Sequence, residues 1–173
     1  MKIFKPTQNE YNAQSQQNIY VQAVTSENAL QTMAENISIV DNFFKSLPVE
    51  KYFYRYAEGK WTPLEVLGHL IDCERILAYR AMCIARGEKQ SLPGFEEADY
   101  VNATNFNKKS LRSLLLQYKA QRKSTILLFK SFSQRELSRI GLANNWSITP
   151  RAIAWIIAGH ELHHLNILKE RYL

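Results

Sequence analysis

The sequence has few of the residues that indicate a fibrous, disulfide-stapled or membrane-spanning protein. Its 173 residues include only two cysteines, five prolines and six glycines. These numbers exclude a collagen-like chain and a disulfide-rich mini-domain. No apolar run approaches the ~20 residues that a membrane span requires. The basic N-terminus has no apolar stretch behind it, so we expect no signal peptide, no membrane segment and a cytoplasmic location.

The two cysteines predict free thiols. Cys73 and Cys83 lie in one predicted helix, where ten residues of helical rise separate them by roughly 15 Å. A disulfide needs Cα atoms within about 5.5 Å of each other. We therefore expect both thiols to be reduced, as in a reducing compartment.

Length and composition predict one globular domain. Hydrophobic residues make up 46% of the chain and charged residues 22%, the balance of an ordinary folded domain with one core. No low-complexity tract or flexible linker divides the sequence. We expect a single domain over residues 1–173, in which a polar arm (residues 1–25) lies on a helical bundle (residues 26–173) and contributes no core element.

The net charge of +6 is unevenly distributed, because no acidic residue occurs between Tyr100 and Arg135. The cations of this basic stretch are Lys108, Lys109, Arg112, Lys119, Arg122, Lys123, Lys130 and Arg135. Four of them align on one helix face: Arg112, Lys119, Lys123 and Lys130. We interpret the basic stretch as a solvated helix surface. Nucleic-acid binding is the less favoured alternative, because no DNA-reading motif accompanies the charges.

Four segments have the apolar period of a helix, over residues 26–46, 62–86, 110–131 and 149–173. Two of them begin with a threonine followed by a proline, which is typical of a helix N-terminus. Glu65, three residues after Thr62, completes a capping box. No segment predicts a strand convincingly. The sequence therefore predicts an all-α four-helix bundle in which at least one long connection crosses over an end of the bundle.

All four histidines lie in the second and fourth predicted helices: His69, His160, His163 and His164. At 100° per residue, His160 and His164 point together into a stripe of isoleucines, whereas His163 lies at its edge. Each unsatisfied buried ring would cost about 1–3 kcal/mol. A divalent metal ion satisfies both rings at once, and a spacing of four residues suits a shared ion. We therefore predict that His160 and His164 are metal ligands.

His69 is the natural third ligand. It lies about two turns from the start of its helix and His160 about three turns from the start of its own, so the rings can converge if the two helices are neighbours. Glu65 and Asp72 lie one turn on either side of it and are candidates to orient its ring. The alternatives are a capping role for Glu65 and a solvent-facing Asp72. Cys73, one turn after His69 on the inner side of the helix, is interpreted as a small buried apolar residue rather than a ligand.

Residues 160–164 also match the H-E-x-x-H signature of zinc proteases. Those enzymes generally take a third ligand further along the chain, and no histidine follows His164 in this sequence. Glu161 is rotated about 100° from His160, away from the isoleucine stripe. The protease interpretation is therefore the weaker one.

Several segments in order resemble the DinB-like superfamily. They are residues 59–72 with Glu74-Arg75 and Tyr79-Arg80, the loop 92–95, the segment 98–101 and the ending 156–173. The resemblance implies a four-helix bundle with one long crossover. It also implies a divalent metal, often nickel or zinc, held by three histidines that map onto His69, His160 and His164. Iron and manganese are alternative metals for an imidazole site.

Characterised members of this superfamily include thiol S-transferases and thiol-dependent isomerases, and several are dimers. Our first hypothesis is therefore metal-dependent transfer of a low-molecular-weight thiol to a small-molecule electrophile. The second is metal-dependent hydrolysis with the same ligands, and the third is a non-catalytic metal-binding or nucleic-acid-binding module. Beyond the three histidines, no catalytic or cofactor-binding residue is assigned.

The fourth helix is apolar nearly all round. The side opposite the histidines carries Trp155, Ala158, Leu162, Leu165 and Leu173. A helix of this kind is usually buried on both sides. We expect a homodimer that packs through this helix, with deep packing inside the bundle as the alternative.

Overall fold

A computed structural model describes residues 1–173. Its α-helices are α1 (Gln16–Ala23), α2 (Ala29–Ser46), α3 (Pro63–Ala85), α4 (Glu97–Ala103), α5 (Leu111–Lys130), α6 (Gln134–Leu137) and α7 (Pro150–Tyr172). Three 3-10 helices cover Gln8–Glu10, Val49–Phe53 and Phe106–Lys108. The strands β1 (Gly141–Ala143) and β2 (Trp146–Ile148) form an antiparallel hairpin. The four long helices α2, α3, α5 and α7 form the predicted bundle, and α4 belongs to the long connection between α3 and α5.

The predicted helices correspond to α2, α3, α5 and α7, and their caps explain where they begin. At the start of α3, the Thr62 hydroxyl accepts from the Glu65 N–H at 3.2 Å, and the Glu65 carboxylate accepts from the Thr62 N–H at 2.8 Å. This is the predicted capping box. Thr149 caps α7 by accepting from the backbone of Ala152 at 3.1 Å. Helix α2 begins later than predicted because Asn28 is its N-cap.

The N-terminal arm is more deeply packed than predicted. Ile3, Val21 and Val24 are buried in the hydrophobic core, so the prediction that residues 1–25 contribute no core element was wrong. Helix α1 crosses α7 at Gly159, where a Cβ atom would lie 1.8 Å from the carbonyl oxygen of Tyr20. Only a glycine permits this approach of the two backbones.

The hairpin was also missed. Its turn is formed by Asn144 and Asn145, which have φ values of 51° and 62°, a conformation that asparagine tolerates better than most residues. Leu92 adds a bridge to β1 by donating its N–H to the Leu142 carbonyl oxygen at 2.9 Å. Strands of three residues are too short to show an alternating pattern, so the sequence carried no periodic signal for them.

The second apolar side of α7 is covered within the chain. Trp155, Ala158 and Leu165 are at most 1% exposed, and α1 and α2 both pack on α7. The Trp155 indole N–H donates to the carbonyl oxygen of Ile3 at 3.1 Å. Packing within the chain therefore covers Trp155, Ala158 and Leu165, whereas Leu173 at the end of the same side is 72% exposed. A homodimer through this helix stays a prediction. None of the helices combines the length and hydropathy of a transmembrane span.

The apolar interior is divided into two clusters by a layer of polar side chains. One cluster contains residues 152–158 of α7 and residues 81, 84 and 85 of α3, and the other contains Leu165 and Leu168 of α7 and residues 64–71 of α3. Between these levels, each long helix contributes a buried polar residue. They are Asn36, Glu74, Arg122 and Glu161.

Arg122 is the centre of this layer. Its Nε and Nη2 atoms donate to the two carboxylate oxygens of Glu74, each at 2.9 Å. Its Nη1 atom donates to Oε2 of Glu161 at 2.7 Å, and Asn36 donates to the same oxygen at 2.9 Å. The Tyr118 hydroxyl donates to the other oxygen of Glu161. We call these five residues the buried charge network.

The network corrects the interpretation of the basic stretch. Arg122 was grouped with surface cations, yet it is 2% exposed. Burial by itself would lower the pKa of its guanidinium, but Glu161 and Glu74 raise that pKa well above its ordinary value. In the predicted stripe, three cations are exposed: Arg112, Lys123 and Lys130. The fourth, Lys119, forms an ion pair with Asp41 at 2.6 Å.

We expect Arg122→Met to lower the free energy of unfolding by about 3–5 kcal/mol, because it leaves two buried carboxylates without their cation. Urea denaturation followed by circular dichroism measures the change. Lys123→Met is the matched control, since the neighbouring side chain is exposed, and its effect should stay within about 0.5 kcal/mol. Equal effects of the two substitutions would contradict the structural role of the network.

Candidate metal centre

The structure brings the three predicted histidines together in the middle of the bundle. His69 comes from α3, and His160 and His164 come from successive turns of α7. The Nε2 atom of His160 lies 3.0 Å from Nε2 of His69 and 3.0 Å from Nε2 of His164. One ligand atom from each ring lies within 4.8 Å of the others. His69 and His160 are buried and His164 is half-buried.

Hydrogen bonds between the rings do not explain this arrangement. A ring nitrogen carries either one N–H or one in-plane lone pair, so Nε2 of His160 cannot make a well-directed bond to both other rings at once. Two nitrogens bound to one ion at ~2.1 Å and at right angles lie ~3.0 Å apart. The separations and the all-imidazole donor set therefore fit a divalent metal, and metal ligation by these residues stays our prediction.

The rings are held in the form that a metal binds. Burial lowers the pKa of His69 to about 4. Burial, followed by the neighbouring rings, lowers the pKa of His164 to about 3 and that of His160 well below its ordinary value. All three imidazoles are therefore neutral at pH 7. Neutral imidazole is the ligating form, so protons do not compete with a metal there.

The residue that orients His69 is Cys73. Its sulfur lies 3.4 Å from Nδ1 of His69, and it is one turn further along α3. When Nε2 faces an ion, the ring proton is on Nδ1, where this sulfur is a weak acceptor. Burial raises the pKa of the Cys73 thiol, so the group stays protonated. Sequence analysis interpreted Cys73 only as a buried apolar residue and missed this contact, for which the spacing of four residues from His69 was the available signal.

The two carboxylates expected to orient His69 do not do so, and that expectation was wrong. Oε1 of Glu65 accepts from Arg55 at 2.8 Å and from Asn107 at 2.9 Å, while the other oxygen closes the capping box. Asp72 instead pairs with Arg75 at 2.9 Å. Both carboxylates therefore bind partners outside the histidine cluster. The alternatives, a capping role for Glu65 and a solvent-facing Asp72, were closer to the structure.

Glu161 also lies outside the metal centre, although it follows His160 directly. Both of its carboxylate oxygens are occupied by the buried charge network. A zinc protease would need this carboxylate beside the ion as a general base. The structure therefore supports the rejection of that interpretation. The fourth histidine, His163, lies outside the cluster, with its ring 5.4 Å from that of Tyr20.

Aromatic side chains surround the histidine cluster. The Trp61 ring lies 4.7 Å from the His69 ring, and the Tyr20 ring lies 5.1 Å from the His160 ring. Tyr20 belongs to α1, so the N-terminal arm covers one side of the cluster. Sequence reasoning missed this contact because nothing in the polar arm indicated which helix it crosses.

A groove of about 300 Å³ opens beside the cluster. We call it the aromatic groove and define it by Tyr56, Lys60, Trp61, His164 and Tyr172. Its volume is at the lower end of the range that binds small molecules. Because His164 is part of its wall, a molecule in this groove contacts the histidine cluster directly.

The structure defines a class of four-helix bundle in which three histidines from two helices form one cluster. The sequence identifies the family within that class, because residues 32–168 match the family model of the DinB superfamily. The chain therefore belongs to the DinB superfamily. Among curated proteins, none matches the sequence of this chain.

Two solved structures from Bacillus subtilis share the fold. The first is YfiT, described as a probable metal-dependent hydrolase with an unusual four-helix bundle topology. It is 15% identical, with a TM-score of 0.76 over 86% of this chain and 88% of that one. The second is the DinB-like protein YjoA, which is 16% identical, with a TM-score of 0.58 over 83% of this chain and 89% of that one. At these identities the likeness confirms the four-helix bundle.

We expect the purified protein to carry about one equivalent of a divalent metal, and His69→Ala/His160→Ala/His164→Ala to carry none, because the substitutions remove the whole donor set. Elemental analysis of untagged protein measures both. His163→Ala is the matched control, since this ring lies outside the cluster, and it should keep the metal. Protein that is metal-free and binds none on titration would contradict the assignment.

We also expect Ni²⁺ to quench tryptophan emission through Trp61, whose ring packs against His69. Trp61 is the one tryptophan whose ring contacts a histidine; Trp155 is buried in the core and Trp146 is 56% exposed on the hairpin. A Ni²⁺ titration of the apoprotein should reduce emission with a one-to-one end point. In Trp61→Phe most of the quenching should disappear while the bound nickel is unchanged. Undiminished quenching in that variant would place the nickel elsewhere.

Proposed function

We propose that this protein is a divalent-metal-dependent enzyme that transfers a low-molecular-weight thiol to a small electrophile, with nickel or zinc as the metal. The observation that carries the proposal is the convergence of three neutral, mostly buried imidazoles at the wall of the aromatic groove. Three protein ligands leave further coordination positions open, which is the arrangement of catalytic rather than structural sites.

The metal's contribution is to bind a thiol and keep it as thiolate, the nucleophilic form, at neutral pH. The chain's own residues supply the surroundings. Trp61 and Tyr172 offer flat apolar surfaces for the electrophile, and the half-buried position of His164 exposes the cluster to the groove. In the transfer, the thiol proton passes to solvent and a carbon–sulfur bond forms. The displaced electron pair leaves with the leaving group, or moves to a neighbouring oxygen that water then protonates.

The neighbouring carboxylates favour thiol transfer over hydrolysis. Hydrolysis benefits from a carboxylate that takes a proton from the attacking water. Glu65, Asp72 and Glu161 are the acidic residues closest in sequence to the ligands, and the hydrogen bonds described above occupy each of them elsewhere. A thiol that a bound metal would hold as thiolate needs no such base.

Hydrolysis is the second candidate function, and one observation favours it. YfiT, which shares the fold, is described as a probable metal-dependent hydrolase. The same three imidazoles would then activate a water molecule, since a divalent ion lowers the pKa of bound water towards ~7.

We expect the metal-loaded protein to accelerate conjugation of 1-chloro-2,4-dinitrobenzene with a cellular thiol such as glutathione or cysteine. His164→Ala should lower the rate to the uncatalysed background, because it removes a ligand at the groove wall, while His163→Ala retains it. Release of nitrophenol from an ester without added thiol would favour hydrolysis instead. Neither reaction with any common thiol or ester would leave the non-catalytic binding module as the better hypothesis.

A further inference from the structure

The charge of the aromatic groove comes from a single side chain. Lys60 is the only lysine or arginine among the nine residues that line the groove, and no aspartate or glutamate lines it. The rest of the wall is aromatic or apolar apart from His164 and Gly59. The groove therefore has one cation and no anion of its own to balance it.

The Lys60 ammonium group has no partner within the chain. It takes part in none of the ion pairs of the structure, and the hydrogen bonds of this residue involve only its backbone atoms. Glu65, at the start of α3, accepts instead from Arg55, from Asn107 and from the Thr62 N–H. The charge of Lys60 is therefore available to a ligand.

A tight turn holds Lys60 beside the groove. Gly59 before it has a φ of 72°, a left-handed conformation that glycine adopts without strain. The Lys60 N–H donates to the carbonyl oxygen of Ala57 at 3.2 Å, and its carbonyl oxygen accepts from Arg55. Arg55 in turn pairs with Glu65 of α3 at 2.8 Å. The lysine is therefore fixed to the bundle before any ligand binds.

The groove is buried on its inner side and exposed where the lysine lies. Val66 and Tyr172 in its wall are buried, and His164 is half-buried. Lys60 and Gly59, by contrast, are exposed. A molecule that fills the groove therefore contacts His164 on its inner side and Lys60 at the solvent-exposed rim.

The walls between these two residues favour a flat apolar molecule. The rings of Tyr56 and Tyr172 pack edge to face at 5.2 Å, and Trp61 belongs to the same lining. The Tyr172 hydroxyl donates to the carbonyl oxygen of Trp61, so this donor is already used. Aromatic rings bind further rings in offset-stacked or edge-to-face arrangements. The groove therefore suits a planar ring or conjugated chain with an anionic group at one end.

We infer that the electrophile bound in the aromatic groove is a planar organic anion, such as an aromatic carboxylate, and that Lys60 determines this specificity. Its apolar part packs on the aromatic wall, its carboxylate faces Lys60, and its reactive carbon lies on the His164 side. A divalent ion on three neutral imidazoles would add only positive charge at that inner side. This inference rests on the proposed function, because it names the class of electrophile that the enzyme takes.

The test uses the full chain saturated with Zn²⁺ and three probes that share a conjugated double bond. Cinnamate has a ring and a carboxylate, cinnamamide has the ring without the charge, and crotonate has the charge without the ring. Each Kd is measured by NMR titration in the absence of any thiol, so no turnover is required. In the unaltered protein, cinnamate should have the lowest Kd, and added salt should weaken cinnamate but not cinnamamide.

The charge and the ring should respond to different substitutions. Lys60→Met should raise the Kd of cinnamate and crotonate about three- to fivefold, the size of an exposed ion pair, and leave cinnamamide unchanged. Tyr56→Leu should raise the Kd of cinnamate and cinnamamide about fivefold, because an aromatic contact is lost, and leave crotonate unchanged.

The chain offers a matched control for each substitution. Lys51→Met removes a cation from the same connection between α2 and α3, but Lys51 does not line the groove. Tyr54→Leu removes a ring that also packs on Tyr172, at 6.0 Å, from outside the groove lining. Neither control should alter any Kd.

The crossed pattern separates recognition from damage to the turn, since a displaced turn would weaken all three probes alike. Equal Kd values for cinnamate and cinnamamide would overturn the inference. So would an unchanged Kd of cinnamate in Lys60→Met, which would place the carboxylate at the metal instead. Conjugation of 1-chloro-2,4-dinitrobenzene, a neutral electrophile, tests the proposed function separately. The crossed pattern without any thiol conjugation would confirm that the groove selects a planar anion and overturn the proposed thiol transfer.

Discussion

The buried guanidinium of Arg122 constrains this structure more than any other group. A charge withdrawn from water is costly unless it is paired and fully hydrogen-bonded. Arg122 meets this requirement only when Glu74 of α3 and Glu161 of α7 approach it together. Apolar packing tolerates small sliding of helices, whereas a guanidinium fork does not. The network therefore sets the register of α3, α5 and α7, and Asn36 adds α2 to the same layer.

The metal centre depends on this register. Glu161 follows His160 directly, and Glu74 lies five residues after His69. When the two carboxylates close on Arg122, the α3 and α7 backbones place His69 opposite His160. The position of the His164 ring follows from helix geometry alone, because His164 lies one turn after His160 on α7. The network also keeps the Glu161 carboxylate away from the three histidines.

The N-terminal arm completes the surroundings. Gly159 allows α1 to lie backbone to backbone on α7, and this contact brings Tyr20 over His160 and His163. The same contact covers the apolar side of α7 that the sequence left without a partner. On the other flank, the aromatic groove reaches the cluster at His164.

Local patterns were sufficient for the helices and for the ligand candidates. The Thr62–Glu65 capping box, the Thr149 cap and the isoleucine stripe around His160 and His164 act within one or two helical turns, so they can be read from neighbouring residues. Partners across helices could not be read in this way. Periodicity placed Arg122 among other cations of α5 but did not show that two distant carboxylates neutralise it. It also placed Glu65 and Asp72 beside His69 without showing that Arg55 and Arg75 bind them first.

The sequence by itself determined the four long helices, their starting points and the three histidines that face the interior. Tertiary structure decided which groups surround those histidines: Cys73 at the ring of His69, Tyr20 above His160, and the aromatic groove beside His164. The physical reason is one of range. Helix formation and capping depend on hydrogen bonds and side-chain contacts within four residues, whereas burial, ion pairing and pocket shape depend on contacts between residues that are tens of positions apart.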